Sequence, residues 1–458
     1  MRRRSAALAV VVAVVVAVAG CSGTPVQPRL DAGAVAYRAG EPSFVLEAVA
    51  TLEDDSTGID VYLGLEAETF VLRSQGGSAR GVVRWTITVE QEGGAPITRS
   101  PADTIDGSRP YVWRIERLEV PVGVYTVRAV AEDLASDRTA ERSAQVRVAR
   151  PGPDPSLSAL RLDRLEDGRA VPVDVGAVPA GLDSLRVVAQ ALSVPDSSRT
   201  SVSVVRVASD SSAARPIVGQ TPSQGSLRAR GLDLRRVDTV QAVRQEVLNP
   251  ASALDVTAPL PPLPPGVYRV EVELRSPSGG RLDLAERLFV VRRGDYPAVT
   301  RLGDVIGPLE YLASERERRD VLEAETDGER QRAFDRFWGE RMSDRRLASA
   351  TVRAFYERVE EANRLFGAHK EGWKTDPGMA YILFGPPSFV DQTIRGERWT
   401  YTQSGATPPV LEFERTAGGP GDPTPFRVLT LQRDRAYADV WRQARQLWRS
   451  GVVPGGRG

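Results

Sequence analysis

The hydrophobic period of this chain changes near residue 296, and that change limits its fold more than any other feature. From residue 44 to residue 293, apolar residues alternate or form short runs separated by Gly, Ser, Asp and Pro clusters. Such runs are typical of β-strands, and no helix-length pattern of period 3.6 interrupts them. After Tyr296-Pro297 apolar residues recur at helical spacing, and short apolar runs then return. The sequence therefore predicts an all-β part followed by an α+β part.

The all-β part contains an internal repeat. Gly123-Val124-Tyr125 opens an apolar run shortly after a proline, and Gly266-Val267-Tyr268 does the same later in the chain. A Gly-x-Tyr hairpin entering one of the last strands is common in immunoglobulin-like and fibronectin-like domains. We therefore expect two tandem all-β sandwiches of that kind, at residues 40–150 and 156–293. The proline-rich residues 151–155 would form a stiff, exposed junction between them.

Strand positions can be assigned within this part. The predicted strands of the first sandwich are residues 44–50, 59–65, 82–89, 111–118, 124–130 and 144–149, and residues 288–291 end the second. Residues 193–231 are rich in Ser, Asp and Arg, and we interpret them as long solvated loops. Loops on a rigid sandwich also often bind ligands, and that reading stays open.

The α+β domain is predicted at residues 304–449. Its clearest helix is residues 348–366, where apolar residues follow the i, i+3, i+4, i+7 pattern. The other predicted helices are residues 308–326, 327–341 and 437–448, and the predicted strands are residues 379–384, 397–402, 410–414 and 426–431. We expect a four-strand antiparallel meander with helices on one face. Residues 450–458 are expected to be a disordered tail.

Residues 371–387 combine turn chemistry with a short apolar run. Pro377 and Gly378 suit the central positions of a type II turn, and Asp376 can accept hydrogen bonds from the amides of that turn. Residues 379–384 are almost wholly apolar and stop at Gly385-Pro386-Pro387. A short apolar run bounded by such breakers predicts a buried strand.

The same stretch carries a family resemblance. Its parts are Gly372-Trp373-Lys374-Thr375-Asp376, then Tyr381-Ile382-Leu383-Phe384-Gly385-Pro386-Pro387, then Glu397-Arg398-Trp399-Thr400-Tyr401. With the helix-forming residues 355–366 before them, these runs resemble the bacterial GWxTD-domain family over residues 304–448. The resemblance implies a fold and a compartment, and it brings no established biochemical activity.

The N-terminus has the form of an export signal. Arg2-Arg3-Arg4 precedes an apolar run at residues 5–19, which is shorter than the roughly 20 residues that span a bilayer. Val18-Ala19-Gly20-Cys21 resembles a bacterial lipobox, so we expect residues 1–20 to be a lipoprotein signal peptide and Cys21 to be acylated. The alternative is an ordinary signal peptide that ends near a cysteine.

Compartment follows from that signal. Ser22 after the cysteine resembles lipoproteins that are passed to the outer membrane, and residues 21–39 have the small-residue composition of a flexible tether. We therefore expect a lipid-anchored protein of the bacterial cell envelope, on the outer membrane and facing the periplasm or the exterior.

Composition restricts the available chemistry. The 60 basic and 60 acidic side chains cancel, which argues against a nucleic-acid partner bound by a broad basic field. Cys21 is the only cysteine and His369 the only histidine, so we expect no metal site, no cofactor and no thiol catalysis. His369 follows a predicted helix end, and we interpret it as a solvated loop residue or a cation near that helix terminus.

The residues of the GWxTD-like stretch are the remaining candidates for a site. The candidate binding or turn residues are Gly372, Trp373, Thr375, Asp376, Tyr381, Gly385, Pro386, Pro387, Glu397, Trp399 and Tyr401. Asp376 with Glu397 or Asp391 could act as the acid and base of glycoside hydrolysis, or could simply cap turns and decorate a hairpin. Trp373, Trp399 and Tyr401 could form a platform for sugar or peptide, or could be packing residues.

Together these observations favour a non-enzymatic scaffold or interaction lipoprotein. In this hypothesis no catalytic residue is assigned, Cys21 anchors the chain in a membrane, and the GWxTD-like domain binds an envelope protein or glycan. The alternative is a carbohydrate-active hydrolase or a glycan-binding module that uses the GWxTD-like region.

Overall fold

The structure is a computed structural model of the chain. It describes residues 42–455, except residues 54–55, 76–77, 109–110, 151, 167, 249–250, 341, 343, 394, 402–409, 418–423 and 425. The expected signal peptide, Cys21 and the tether therefore lie outside the described residues. Among the described residues, no helix combines the length and the apolar character needed to cross a membrane.

The first β unit, residues 44–148, consists of two sheets around one core. Its strands are β1 (Phe44–Glu53), β2 (Ser56–Glu66), β3 (Arg73–Gln75), β4 (Ser78–Gln91), β5 (Ile97–Arg99), β6 (Ala102–Asp106), β7 (Tyr111–Glu119), β8 (Gly123–Asp133) and β9 (Arg138–Val148). One sheet has the order β1-β2-β7, and the other has the order β3-β4-β8-β9 with β5 and β6 also paired to β4. Val61 of the first sheet and Trp85 and Val127 of the second are fully buried in the shared core.

The second β unit, residues 156–292, has the same plan of two sheets and one core. Its elements are β10 (Ser156–Leu157), β11 (Arg161–Glu166), β12 (Arg169–Pro172), β13 (Val178–Pro179), β14 (Arg186–Val194), β15 (Arg199–Ser209), α1 (Leu227–Arg230), β16 (Leu232–Val247), β17 (Ala251–Pro259), β18 (Gly266–Arg275) and β19 (Arg281–Arg292). One sheet is ordered β10-β14-β11-β12 with β17 on β14, and the other is ordered β13-β19-β18-β15-β16. Ala191, Val204 and Val270 are fully buried in the core between them.

The predicted repeat between these units is visible in matching tyrosines. The Tyr125 hydroxyl donates to the Pro121 carbonyl at 2.8 Å, and the Tyr268 hydroxyl donates to the Pro264 carbonyl at 2.9 Å. Each tyrosine lies at the start of a strand, β8 or β18, that pairs antiparallel with the last strand of its unit. The Gly-x-Tyr pattern therefore marks the same corner in both units.

In the described part of residues 302–455, the C-terminal unit combines six α-helices with one sheet. Its helices are α2 (Leu302–Ile306), α3 (Glu315–Leu322), α4 (Asp327–Gly339), α5 (Arg345–Phe366), α6 (Asp376–Phe384) and α7 (Ala438–Arg449), and its strands are β20 (Phe389–Thr393), β21 (Gly396–Thr400), β22 (Val410–Ala417) and β23 (Val428–Leu431). The strands form an antiparallel sheet in chain order, as the predicted meander requires. Short 3₁₀ turns at Gly307–Tyr311, Gly372–Lys374 and Arg435–Tyr437 connect several of the helices.

Helix α5 forms the centre of this unit. Asp344 caps its N-terminus by accepting from the Arg346 amide at 2.8 Å. Its apolar stripe buries Phe355, Val359 and Ala362, which are fully excluded from solvent. These side chains join the same hydrophobic cluster as α6 and the sheet.

The predicted strand at residues 379–384 is wrong, because this run is helix α6. Thr375 caps the helix, and Pro377 lies in its first turn, where the missing N–H of proline costs nothing. Every residue from Pro377 to Phe384 is buried, so no polar face reveals the helical period. The fourth strand of the sheet is instead β20, which the sequence analysis missed because only Val390 of that strand is buried.

Two further expectations are corrected by the structure. Residues 450–458 are predicted to be a disordered tail, but within the described residues 450–455 Pro454 is buried and its carbonyl accepts from Arg358 at 2.5 Å. Residues 456–458 lie outside the described residues. Residues 193–231 were expected to be solvated loops, but β15 lies within them, and Ala214 and Ile217 are buried. Isolated apolar residues show no hydrophobic period in the sequence. Their burial depends on tertiary contacts, so the sequence does not reveal it.

The first and second β units meet through polar contacts. Glu47 of β1 pairs with Arg287 of β19 at 2.5 Å, and Glu47 is buried. The Gln190 side chain exchanges hydrogen bonds with the Leu52 main chain, with both donor–acceptor distances at 3.2 Å. These contacts hold β14 and β19 of the second β unit against β1 of the first.

Candidate functional site

The first two motif residues sit where the chain leaves α5 and turns back towards it. A Cβ atom added to Gly372 would lie 1.8 Å from the Ala362 carbonyl oxygen, so only glycine fits. The Trp373 amide donates to the Asn363 side chain at 3.1 Å, and the Trp373 carbonyl accepts from the Tyr311 hydroxyl at 2.6 Å. Trp373 is 9% exposed and packs edge-on against Tyr311. Both residues therefore fix the path of the chain.

Thr375 and Gly378 complete this tight connection. The Thr375 hydroxyl donates to the Gly372 carbonyl at 2.7 Å and accepts from the Gly378 amide at 3.1 Å. A Cβ atom on Gly378 would lie 1.9 Å from the Gly372 carbonyl oxygen. The expected type II turn at Pro377-Gly378 is therefore absent, and these residues form the first turn of α6 instead.

The motif aspartate is the anchor point of a salt bridge. Asp376 Oδ1 and Oδ2 accept from the Arg433 guanidinium at 2.6 and 3.0 Å, and Oδ2 also accepts from the Leu431 amide at 2.8 Å. The Arg433 side chain is 1% exposed and that of Asp376 is 11% exposed. This bidentate pair joins the start of α6 to the end of β23.

Arg433 also reaches the second β unit. Its guanidinium donates to the Arg215 and Pro216 carbonyls at 3.1 and 3.2 Å, and its amide donates to the Thr221 hydroxyl at 2.9 Å. The motif aspartate therefore orients an arginine that holds main-chain groups of another part of the chain.

The aromatic candidates pack inside the unit. Trp399 is fully buried, lies 4.7 Å from Phe413 between ring centroids, and donates its indole N–H to Glu397 at 2.9 Å. Tyr401 is 7% exposed and contacts Phe384. An exposed aromatic platform is therefore wrong, and the packing alternative is confirmed.

Tyr381 belongs to a small buried polar group. Its hydroxyl donates to Glu361 at 2.8 Å. Burial raises the pKa of Tyr381, and burial likewise raises the pKa of Glu361, with the Tyr381 hydrogen bond opposing it. The pair is thus an internal hydrogen bond between α5 and α6.

The three candidate carboxylates have separate surroundings. Glu397 is 2% exposed and accepts from Arg427 at 2.8 Å in addition to Trp399. Asp391 lies exposed on the edge strand β20, while Asp376 is bound to Arg433. Among the residues that the structure describes, no group of three or more His, Cys, Asp or Glu side chains could hold a metal ion.

Gly385-Pro386-Pro387 ends α6 beside a buried arginine. Gly385 has a φ of +83°, and a Cβ atom there would lie 3.0 Å from the Arg358 guanidinium. Arg358 donates to the Ile382 and Pro454 carbonyls at 3.2 and 2.5 Å. Burial lowers the pKa of Arg358 to about 10. Arg358 follows Phe355 by three positions and precedes Ala362 by four, so its place on the apolar stripe was the available sequence signal.

His369 is buried, so its interpretation as a solvated residue or a terminal cation is wrong. It is 6% exposed and lies against Gly231 and the Phe426 ring. Burial, and secondarily the Lys370 charge, lower the pKa of His369 from 6.5 to about 3. The imidazole is therefore neutral in the folded protein at neutral pH.

Lys370 forms a second ionic contact between units. Its ammonium group donates to Asp210 at 2.7 Å and to the Ser212 carbonyl at 2.8 Å. The Lys370 and Asp210 side chains are 8% and 10% exposed. Sequence analysis missed this pair and Arg433, because a single sequence does not show which distant segment supplies the partner.

Apolar side chains complete the same boundary. The β-unit side of this patch is Val207, Leu232, Val267, Leu288 and Val290, and the other side is Ala368, Phe426 and Val428. All eight are buried. The second β unit and the C-terminal unit thus share a hydrophobic interface as well as ionic contacts.

Comparison with known protein families identifies the C-terminal part of the chain. The model of the GWxTD domain matches residues 280–450, which include the motif, its cap and the Asp376–Arg433 pair. Residues 280–450 form a GWxTD domain. The match begins one residue before β19, so the GWxTD domain as the family defines it includes the whole last strand of the second β unit.

Other comparisons add little about the rest of the chain. No curated protein matches the chain. A transglutaminase of the red sea bream is similar at 11% identity and a TM-score of 0.18, covering 55% of this chain and 31% of that one. A DUF4785 family protein from Legionella pneumophila is similar at 9% identity and a TM-score of 0.17, covering 53% and 54%. This chain thus spans only about a third to a half of those proteins.

Proposed function

We propose that this protein is a lipid-anchored, non-enzymatic scaffold of the bacterial cell envelope. Cys21 is acylated in this proposal, and the two β units hold the GWxTD domain away from the membrane surface. The GWxTD domain then binds an envelope protein or glycan.

The observation that carries the proposal is that the two candidate carboxylates, Asp376 and Glu397, are bound by other groups of the protein. Asp376 is bound by Arg433 and by the Leu431 amide, and Glu397 is bound by Arg427 and Trp399. A general acid or base needs a carboxylate free to reach a reacting group, and these two are already bound to partners within the protein. Their role as structural links favours binding over catalysis.

A finer fold assignment belongs to the same proposal. We propose that each β unit is immunoglobulin-like or fibronectin-like. The support is the paired Tyr125 and Tyr268 corners, each bonded to a carbonyl four residues upstream. An experimental structure whose strand order differs from such folds in both units would contradict it.

The anchor is tested by metabolic labelling with an alkyne fatty acid in a bacterial host. We expect label on the wild-type chain in the membrane fraction, and an unlabelled chain after Cys21→Ser. The matched control is Ser22→Ala, which leaves the thiol in place. Unlabelled mature wild-type protein recovered from the cytosol would refute the anchored scaffold.

Binding is tested by photo-crosslinking in living cells from exposed positions of the GWxTD domain. Phe389 on β20 and Leu347 on α5 are 45% and 41% exposed, and Val122 in the first β unit supplies the comparison position. We expect one defined envelope molecule to be captured from Phe389 or Leu347 and not from Val122. Glycan turnover that Glu397→Gln abolishes in a folded protein would instead support the hydrolase.

A further inference from the structure

The connection between β15 and β16 is far longer than the second β unit requires. Ser209 and Leu232 are paired residues of an antiparallel hairpin, and two residues can close such a hairpin. Here residues 210–231, which we name the clasp, leave the β unit and run along the GWxTD domain. From residue 210 to residue 226 the clasp has no helix or strand.

Most hydrogen bonds from the GWxTD domain to the clasp end on main-chain carbonyls of the clasp. The accepting carbonyls and their donors are Ser212 with Lys370, Arg215 and Pro216 with Arg433, and Ile217 with the Asp434 amide. The distance from the Asp434 amide nitrogen to the Ile217 carbonyl oxygen is 3.2 Å. The Pro216 carbonyl also accepts from the Gly219 amide at 3.0 Å, so the clasp turns after Pro216. In peptide recognition, main-chain hydrogen bonds supply affinity and side-chain pockets supply specificity.

Two clasp side chains act as apolar anchors. Ala214 is 4% exposed and Ile217 is fully buried, and both belong to the cluster that contains Tyr311 and Trp373. Arg215 and Pro216 between them are exposed. The pattern is a small residue and a branched aliphatic residue three positions apart, with solvent-facing residues between.

The motif itself builds this groove. Trp373 belongs to the hydrophobic cluster that contains Ala214 and Ile217. Asp376 forms a bidentate salt bridge with Arg433 and so orients its guanidinium towards the clasp carbonyls. Lys370, just before the motif, supplies the other cationic donor and is fixed by Asp210. The groove therefore combines residues at or beside the motif with Arg433, which the motif aspartate binds.

We propose that the GWxTD domain carries a peptide-binding groove, and that residues 210–221 of this chain occupy it in cis. The ligand class is a peptide without helix or strand that has a small residue and a branched aliphatic residue at i and i+3 and that turns at the second of them. The inference deepens the proposed function by naming the chemistry that the domain binds, and it rests on that function only for the existence of a binding role.

The test asks whether the groove binds the segment in trans. Residues 22–458 are prepared as wild type and as Ile217→Asp, which expels the buried anchor from the groove. A fluorescent peptide of residues 210–221 is added, and its anisotropy is measured. We expect no binding to the wild type, and a dissociation constant on the order of 10–100 µM for the variant.

Three matched changes give the result its specificity. Adding Arg433→Gln to the variant weakens binding by roughly ten- to a hundredfold, since charged hydrogen bonds to carbonyls are lost. A peptide carrying Asp in place of Ile217 does not bind, whereas one carrying Gln in place of the exposed Arg215 binds normally. If Ile217→Asp fails to fold, Ile217→Ala is used under the same criteria.

Folded variants that ignore the peptide, or that bind it equally with and without Arg433, would overturn the groove. Such a failure leaves the envelope scaffold standing if photo-crosslinking from Phe389 still captures a partner. Conversely, a chain without a lipid anchor can still bind the peptide. The two proposals therefore fail separately.

Discussion

Gly372, Gly378 and Asp376 show how little of the motif faces solvent. The two glycines sit against main-chain oxygens, and the aspartate is bound to an arginine that is itself buried. The sequence analysis assigned Gly372 and Asp376 to the motif and Gly378 to a turn. It did not show why, because the approach to the Ala362 carbonyl depends on how the chain turns back after α5, and Arg433 lies 57 positions after Asp376.

Gly372→Ala should destabilise the protein by about 3 kcal/mol, because its Cβ atom would overlap the Ala362 carbonyl oxygen. The measurement is urea unfolding followed by circular dichroism. Gly303→Ala is the matched control, since nothing lies within 4 Å of its added Cβ atom and it is in helix α2. The control should be neutral or slightly stabilising. Equal stability of both variants would contradict the steric argument.

Asp376→Asn should cost about 3 kcal/mol of folding free energy, because it leaves the buried Arg433 guanidinium without its counter-charge. Chemical denaturation of both proteins provides the number. Asp391→Asn serves for comparison, since that carboxylate is exposed on β20, and it should leave stability unchanged. A fully stable Asp376→Asn protein would show that the pair is not structural.

His369 should make folding sensitive to acid. The unfolded chain takes up a proton at this residue near pH 6.5, while the folded chain does so only near pH 3. Stability therefore falls as pH drops through that window, by about 3 kcal/mol at pH 4. His369→Phe removes this term, and no other histidine complicates the comparison. Parallel pH dependence of the two proteins in urea unfolding between pH 7 and pH 4 would refute it.

At the scale of elements, α6 shows where pattern reading fails. Long α5 was predicted well, because one face is apolar and the other is charged. Helix α6 is buried on all sides, and Thr375-Asp376-Pro377 suits a helix start as well as a turn. Burial on every side removes the periodicity that separates a helix from a strand.

The C-terminal segment after α7 should matter for stability. Deleting residues 452–458 removes the Pro454 carbonyl that satisfies buried Arg358, and we expect a loss of about 2 kcal/mol. Deleting only residues 456–458 keeps that carbonyl and should change nothing. Thermal melts of the two truncated chains decide the matter. Matching melting temperatures would show that Arg358 finds another partner.

At the scale of the molecule, the sequence predicted the order of the units and missed how two of them join. The strand-rich part, the repeat and the GWxTD-like part were readable from local pattern. The clasp was not, because Ala214 and Ile217 are isolated apolar residues in a polar stretch. Their burial depends on the Trp373 cluster, which lies far along the chain.

We therefore expect that the C-terminal unit does not fold alone. A fragment of residues 298–458 lacks the clasp and uncovers Phe426 and Val428, whereas residues 156–458 retain both contacts. We expect the longer fragment to unfold cooperatively in urea and the shorter one to aggregate or melt without cooperativity. A short fragment as stable as the long one would show that the interface contributes nothing.

The hydrophobic patch around Phe426 and the clasp cross the same boundary at different places. Two separate attachments remove the freedom of a single hinge, so we expect the second β unit and the C-terminal unit to move together. A partner that binds the exposed edge at Phe389 would consequently have a fixed orientation relative to the second β unit.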